Sequence, residues 1–281
     1  MLSFNDYHTQ KQQLDEKLIT FGRKAYPKFG QIVILAGGAG SGKGFVYNKL
    51  MGIEGKVFDV DELKKMVIKS KKLADKIKSD TGQDMKSFDL RNPEQVSKIH
   101  DIIGGVYKID KKDQKRVISS VLMAPAERKP NLIFDMTLRD INKLHSVSKD
   151  ALEAGYQKEN IHIVWVLNKF EVAAKQNAKR SRVVSDEILL ATHEGAALSM
   201  KKILDMDKKL MKYMDGDIHI AWNQAGVDSS VELNNKGEVA WFKEANYMTV
   251  KKKGKPQLST SKLNKAVIAK IKEYVPNTEV F

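Results

Sequence analysis

The chain has 281 residues, 42% of them hydrophobic, and a formal net charge of +14; the length suits one large α/β domain or a domain with an appendage, and the charge reads equally as solubilising surface or as attraction for a nucleic acid or phosphorylated substrate. With no cysteine it has neither disulfides nor thiolate metal sites, and no apolar run approaches the roughly 20 residues of a membrane helix. Its first residues, MLSFNDYHTQKQQLDEK, carry acidic side chains and no apolar core; they are not a secretory signal, and a soluble cytoplasmic protein with no membrane partner is expected.

Residues 5–21 read as an amphipathic helix with Leu14, Leu18 and Phe21 on one face, stopped by Gly22 or at the latest by Pro27 and Gly30. The next stretch, QIVILAGGAGSGKGFVYNKL, is the most informative of the chain. Ile32 to Ala36 is an apolar run that suits a buried strand, and Phe45, Val46 and Leu50 have helical spacing. Between them lies a glycine-rich turn. A strand, such a turn and a helix start build an anion site. Backbone N–H groups across Gly38, Ala39, Gly40, Ser41, Gly42, Lys43, Gly44 and Phe45 surround phosphate oxygens, the helix N-terminus adds partial positive charge, and Lys43 reaches the β- and γ-phosphates. The loop departs from its pattern at one position. Where a Ser or Thr normally offers a hydroxyl to Mg²⁺, this chain has Gly44 and then Phe45. Either Mg²⁺ is held by ATP phosphates, water and carboxylates elsewhere, or catalysis is weakened.

Lys56 to Val60 reads as a second strand running into a helix from about Asp61. Asp59 and Asp61 therefore sit at a C-terminal strand edge, where open α/β sheets bind ligands. Residues 69–129 are lysine-rich and mostly helical, with a helix start at Asn92-Pro93 and a break at Gly104-Gly105; they read as an inserted substrate subdomain or cap. Asn131 to Asp135 is a buried strand ending in a carboxylate, followed by Thr137, Leu138 and Arg139. A helix of about 14 residues leads to Gly155, and Ile161 to Leu167 is a further strand. Two helices fill 170–214, joined near 180–185. Asp217 to Asn223 is the last core strand. A turn at Asn234 to Gly237 separates two strand-like runs, Tyr247 to Val250 leads into a basic loop at 251–255, and a helix spans about Ser261 to Tyr274. The fold class is α/β: a P-loop NTPase-type parallel sheet with helices on both faces, a helical insertion (about 69–129), a lid (about 170–190) and a small C-terminal β/α extension. The domain reading is 1–224 for the P-loop kinase domain, with 225–281 packed on it.

The loop GGxGSGKG resembles that of adenylate kinases, which follow their glycine with a threonine. The ordered set of motifs over residues 31–215 resembles the zeta-toxin and 5′-polynucleotide-kinase branch of P-loop kinases. In Phe58-Asp59-Val60-Asp61-Glu62-Leu63-Lys64 the resemblance puts Asp61 on the general base. It puts Lys64 on the position, an arginine in polynucleotide kinases, that meets the acceptor's phosphate. Ile133-Phe134-Asp135-Met136-Thr137-Leu138 matches the segment with a substrate-contacting aspartate, making Asp135, Thr137 and Arg139 acceptor-side candidates. Asn177-Ala178-Lys179-Arg180 matches the lid, with Arg180 as its phosphate-meeting arginine and Gln176 where an earlier lid arginine stands.

The resemblance implies an ATP-dependent kinase using Mg²⁺, with Lys43, Asp61 and Arg180 catalytic and a hydroxyl as acceptor. A nucleic acid 5′ end is favoured because Lys65, Lys69 and Lys72 are spaced to form a basic stripe on the helix after Asp61. The alternatives are a small-molecule or nucleotide-sugar kinase and a nucleotide-binding module with weak catalysis. Asp59 reads equally as a helix cap, and Asp135 equally as an orderer of Mg²⁺ water, so either is a candidate metal residue. Lys175, Lys179 and Arg182 read as surface charge, and the tryptophans as core. The histidines show no metal-ligand spacing.

Overall fold

Ile32–Ala36 forms β1, and all five residues are buried. In the computed structural model the residues described are 19–22, 27–205, 207–223, 231–233, 239–242, 247–255, 261, 263 and 265–281. β1 is central in a six-stranded sheet of order β2-β3-β1-β4-β5-β8. The other strands are β2 (Lys56–Asp59), β3 (Leu132–Asp135), β4 (Ile161–Leu167), β5 (Ile218–Trp222), β6 (Val231–Leu233), β7 (Val239–Phe242) and β8 (Tyr247–Lys251). β2, β3, β1, β4 and β5 run parallel. All their C-terminal ends therefore meet at one edge, with Asp59 in register beside Asp135.

Side chains alternate across β1 and both faces are covered. Ile32, Ile34 and Ala36 join one core, and Val33 and Leu35 the other. The first core receives α5 (Ile109–Ser119), α6 (Ile141–Glu153), α8 (Asp186–Leu204) and α9 (Lys265–Lys272). The second receives α1 (Lys43–Leu50), with Ile19 and Phe21. The remaining helices are α2 (Val60–Lys69), α3 (Lys71–Thr81), α4 (Pro93–His100) and α7 (Phe170–Ala178).

Several expectations change. Residues 5–18 of the expected first helix lie outside the described residues. Its expected last turn is not helical: Ile19 bridges Met51 in parallel. The sheet is not wholly parallel, because β8 of the C-terminal extension pairs antiparallel with β5. The basic loop accordingly begins with a buried residue. Lys251 lies in β8, 3% exposed, and its Nζ meets Asp215 Oδ1 at 2.7 Å and Gly216 O at 3.0 Å. β6 and β7 form a separate antiparallel pair, while the turn at 234–237 lies outside the described residues.

The insertion is helical, and its Ala74, Ile77, Met85, Ile99, Ile102 and Ile103 form a small core with Val67 of α2. Gly104-Gly105 does not break the chain; both lie inside a π-helix, Asp101–Val106. A Cβ on Gly105 would meet nothing within 4 Å, and the direction changes at Lys108, which is left-handed at φ 51°. α8 ends at Leu204, short of Met214. There Asp207 Oδ1 accepts from Leu210 N at 2.7 Å and starts a separate short turn. Among the described residues no helix is long and apolar enough to cross a membrane.

Candidate active site

The glycine loop leaves β1 and re-enters as α1 with Gly42 as N-cap at φ 85°. Gly40 is also left-handed, at φ 71°, a conformation costly for residues with a Cβ. Packing excludes a Cβ independently. One on Gly38 would overlap the His193 ring, one on Gly42 would overlap Asn223 Nδ2, and one on Gly40 would lie 2.6 Å from Ala173 O. The first-turn amides of α1 lack intrahelical partners, so the loop and helix start suit an anion.

Lys43 folds back over this loop. Its Nζ donates to Gly37 O at 2.9 Å and Gly38 O at 3.3 Å, and lies 3.5 Å from Asp135 Oδ1. Asp59 serves as a cap: its Oδ1 accepts from Asp61 N at 2.7 Å and starts α2. Capping turns the next carboxylate, Asp61, into the space over the sheet edge. There it meets a ring of cations. Asp61 Oδ2 accepts from Arg182 Nη2 and lies 3.4 Å from Arg180 Nη2. Lys64 is only 6% exposed, and its Nζ is 3.5 Å from Asp61 Oδ1.

The carboxylates diverge in acidity. For Asp61, burial pushes the pKa up, but Arg182, Lys64, Arg180 and Lys43 overcome it, and the net value lies below the usual range. For Asp135, burial dominates and the nearby Asp59 and Asp61 add to it against Lys43; its pKa is raised. Lys64 is depressed by burial despite Asp61. Neighbouring carboxylates pushed apart in this way mark places where acid–base roles can be divided.

Arg182, read from sequence as surface charge, is buried at 9% exposure with its guanidinium on Asp61. The reason is the turn that carries it. Asn177 brackets the α7–α8 connection, donating from Nδ2 to Val184 O at 2.8 Å and accepting from Val184 N at 3.2 Å. The connection also docks on the insertion, with Val183 N bonded to Leu90 O at 3.0 Å. Arg180 and Arg182, two apart on this segment, both reach Asp61. Lys175 and Lys179 are exposed. Thr137 and Arg139 lie on the loop after β3, outside these ion pairs. Arg139 is exposed, with its backbone against Gly195 of α8.

Two of the candidates for Mg²⁺ are constrained. The Oδ1 of Asp59 is used as a cap and Asp135 sits beside Lys43. Gly44 supplies no hydroxyl, and among the described residues no group of three or more His, Cys, Asp or Glu converges as a metal site would. The described residues do not form a metal cage, and Asp135 stands beside Lys43 at the loop as a single carboxylate for an ion carried by phosphates.

No protein-family model and no curated protein matches the chain. Among the solved structures similar to it are three. One comes from the PezAT chromosomal toxin–antitoxin system of Streptococcus pneumoniae: 14% identity, TM-score 0.41, 79% of this chain and 78% of that chain. The second is AvrRxo1-ORF1:AvrRxo1-ORF2 with sulphate ions: 14% identity, TM-score 0.40, 89% of this chain and 73% of that chain. The third is AvrRxo1-ORF1:-ORF2 with ATP: 14% identity, TM-score 0.40, 98% of this chain and 83% of that chain. These are distant likenesses of shape, and the chemistry of this chain has to come from its own residues.

Sequence reasoning passed over Asn168 and Asn223 and read His193 only as lacking metal-ligand spacing; all three border the loop. A positional signal was present for the two asparagines. Each directly follows a core strand, β4 or β5, at the ligand-binding edge.

Proposed function

We propose that the protein is an ATP-dependent phosphotransferase whose acceptor is a hydroxyl group. One observation carries the reading: a partly exposed carboxylate, Asp61, held among Lys64, Arg180 and Arg182 at the same sheet edge as Lys43 and its glycine loop. The loop amides and Lys43 hold the β- and γ-phosphates. The acceptor oxygen bonds to the γ-phosphorus, the β–γ bridging bond breaks towards ADP, and the acceptor proton goes to Asp61.

The ion pairs give this reading a definite sequence of events. Arg180 and Arg182 rest on Asp61. Donor phosphates compete for the same guanidiniums. As the arginines transfer, two of the four cations that hold the Asp61 pKa down move off while Lys64 and burial remain, so the carboxylate becomes a stronger base. The arginines then neutralise charge on the migrating phosphoryl.

The acceptor class is wider than the sequence argument favoured. The basic stripe does not lie on one helix: α2 ends at Lys69, Ser70 caps a new helix, and Lys72 belongs to α3. Lys65 is also paired with Glu62 at 2.6 Å. A nucleic acid 5′ end and a nucleotide sugar therefore stand as equal acceptors to test. ATP turnover with both, in wild type and in Asp61→Asn, checks the proposal. A drop of about 10² or more in the variant is expected for a general base, and unaltered turnover would remove Asp61 from that role.

A second reading, nucleotide binding with weak catalysis, is favoured by Gly44. Position 44 has room, since a Cβ there would meet nothing within 4 Å. Gly44→Ser restores the missing hydroxyl without a clash. A large rise in Mg²⁺-dependent turnover from a nearly inactive parent supports the weak-catalysis reading. An already active parent supports the kinase.

A further inference from the structure

Three consecutive backbone carbonyls of the glycine loop are each taken by a side chain from a different element. His193 Nε2, on α8, donates to Ala39 O at 2.8 Å. Asn168 Nδ2, just past β4, donates to Gly40 O at 3.0 Å. Asn223 Nδ2, just past β5, donates to Ser41 O at 2.8 Å. Thr192 Oγ1 holds the same loop from its other side, accepting from Ala39 N at 3.0 Å. All four side chains are buried: His193 is 5% exposed, Asn168 0%, Asn223 2% and Thr192 7%. We infer that Asn168, His193 and Asn223 are positioning residues for phosphate binding, acting as a clamp on the carbonyl side of the loop.

The inference follows from peptide geometry and rests on the phosphate-site reading above. In a planar trans peptide, C=O and the next N–H point in opposite directions. Fixing Ala39 O, Gly40 O and Ser41 O against the three side chains therefore turns the N–H groups of Gly40, Ser41 and Gly42 away from them. Ser41 N closes a turn onto Gly38 O at 3.2 Å. The Gly40 and Gly42 amides are left to serve an anion, and the Ala39 amide, held by Thr192, is withdrawn from that role. Without the clamp, the left-handed glycines at 40 and 42 leave these peptides free to flip, since glycine populates both signs of φ readily. Chemistry also selects the clamp residues. Asparagine amides and a neutral imidazole donate a hydrogen bond without adding a charge, so they do not compete with Lys43 for phosphate. Burial depresses the pKa of His193, consistent with a neutral ring.

The test is binding of inorganic tripolyphosphate and of a fluorescent ATP analogue to the full chain. Asn168→Asp removes the donor and adds charge; Asn168→Leu removes the donor alone. Both are expected to weaken both ligands at least tenfold, as are the same changes at Asn223. His193→Leu should do likewise, and His193→Gln, whose amide can still donate to Ala39 O, should stay within about threefold of wild type. Circular dichroism of each variant reports folding, and the two His193 variants decide the question if an asparagine variant does not fold. Wild-type binding in the folded Leu variants overturns the clamp. So does loss in the Asp variants alone, which would be a charge effect, or equal loss in His193→Gln and His193→Leu. Failure of the wild type to bind either ligand overturns the phosphate site itself, and the clamp with it.

Discussion

Asp61 and Asp135 stand on the same sheet edge and are driven in opposite directions, Asp61 by cations and Asp135 by burial. The two shifts have opposite consequences for stability. An acid whose folded pKa is raised is protonated in the native state where it is ionised in the unfolded one, so its contribution falls as pH rises through that window. At neutral pH the ionised, half-buried Asp135 therefore costs stability, which the ion pair with Lys43 only partly offsets. Asp135→Asn should melt at a higher temperature than wild type at pH 7, with the gain shrinking towards pH 4, while its turnover falls. Equal or lower melting at pH 7 would show that the Lys43 pair outweighs the burial of the charge. The sequence grouped Arg182 with Lys179 and Arg180 but read it as surface charge; its burial was not legible. A loop arginine carries no burial pattern, and the burial of Arg182 depends on Asn177 closing the loop and on Leu90 receiving Val183.

Among the elements, the strands and the glycine loop were legible because each is local. β1, β3, β4 and β5 are short apolar runs bounded by turn or cap residues, and their β-branched side chains suit a pleated, buried surface. What was not legible depended on partners far away in the chain. β8 reads as a short run of mixed character and becomes a strand by pairing with β5. The break between α2 and α3 is set by one residue, Ser70, which is extended and whose Oγ accepts from Leu73 N at 3.4 Å; it dismantles the lysine stripe that helical spacing suggested. β5 also carries a pH dependence. His219 packs edge-on against Phe21 and Tyr247, bonds Thr249 through Nδ1 at 3.0 Å, and lies near Asp217 and His162. Burial pushes its pKa down to about 4. Below the ordinary histidine value the unfolded chain takes up a proton that the folded chain refuses, so stability is full above about pH 6.5 and declines towards pH 4, by up to about 1.4 kcal/mol per pH unit for this residue. His162 and His193 are lowered as well and steepen the decline. Thermal melts of His219→Phe, which keeps a ring in place, should show a shallower loss between pH 7 and pH 5 than wild type. Parallel curves would exclude His219 as a source.

Over the whole molecule, topology does the assembling. Four connections bring Lys43, Asp61, Asp135 and the α7–α8 arginines to one edge, although they are spread over residues 43–182. The segment before β3 is part of that assembly: Leu90 and Val96 pack with Ala39, Ala173, Val184 and Leu189, joining its helices to the glycine loop and to α7 and α8. The net charge of +14 adds long-range attraction for any phosphorylated acceptor, a rate effect that salt screens. The central claim is narrower: Asp61 is the base, and the arginines that rest on it belong to the phosphates when ATP is bound. Parallel measurement of ATP affinity and phosphoryl transfer in wild type and Asp61→Asn tests it most directly, with Asp59→Asn as a control for loss of a nearby negative charge. The account predicts that Asp61→Asn binds ATP more tightly than both wild type and Asp59→Asn, because its arginines are already released, and transfers phosphoryl about 10²-fold or more slowly. Unchanged transfer in Asp61→Asn, or ATP affinity no higher than in Asp59→Asn, would contradict it.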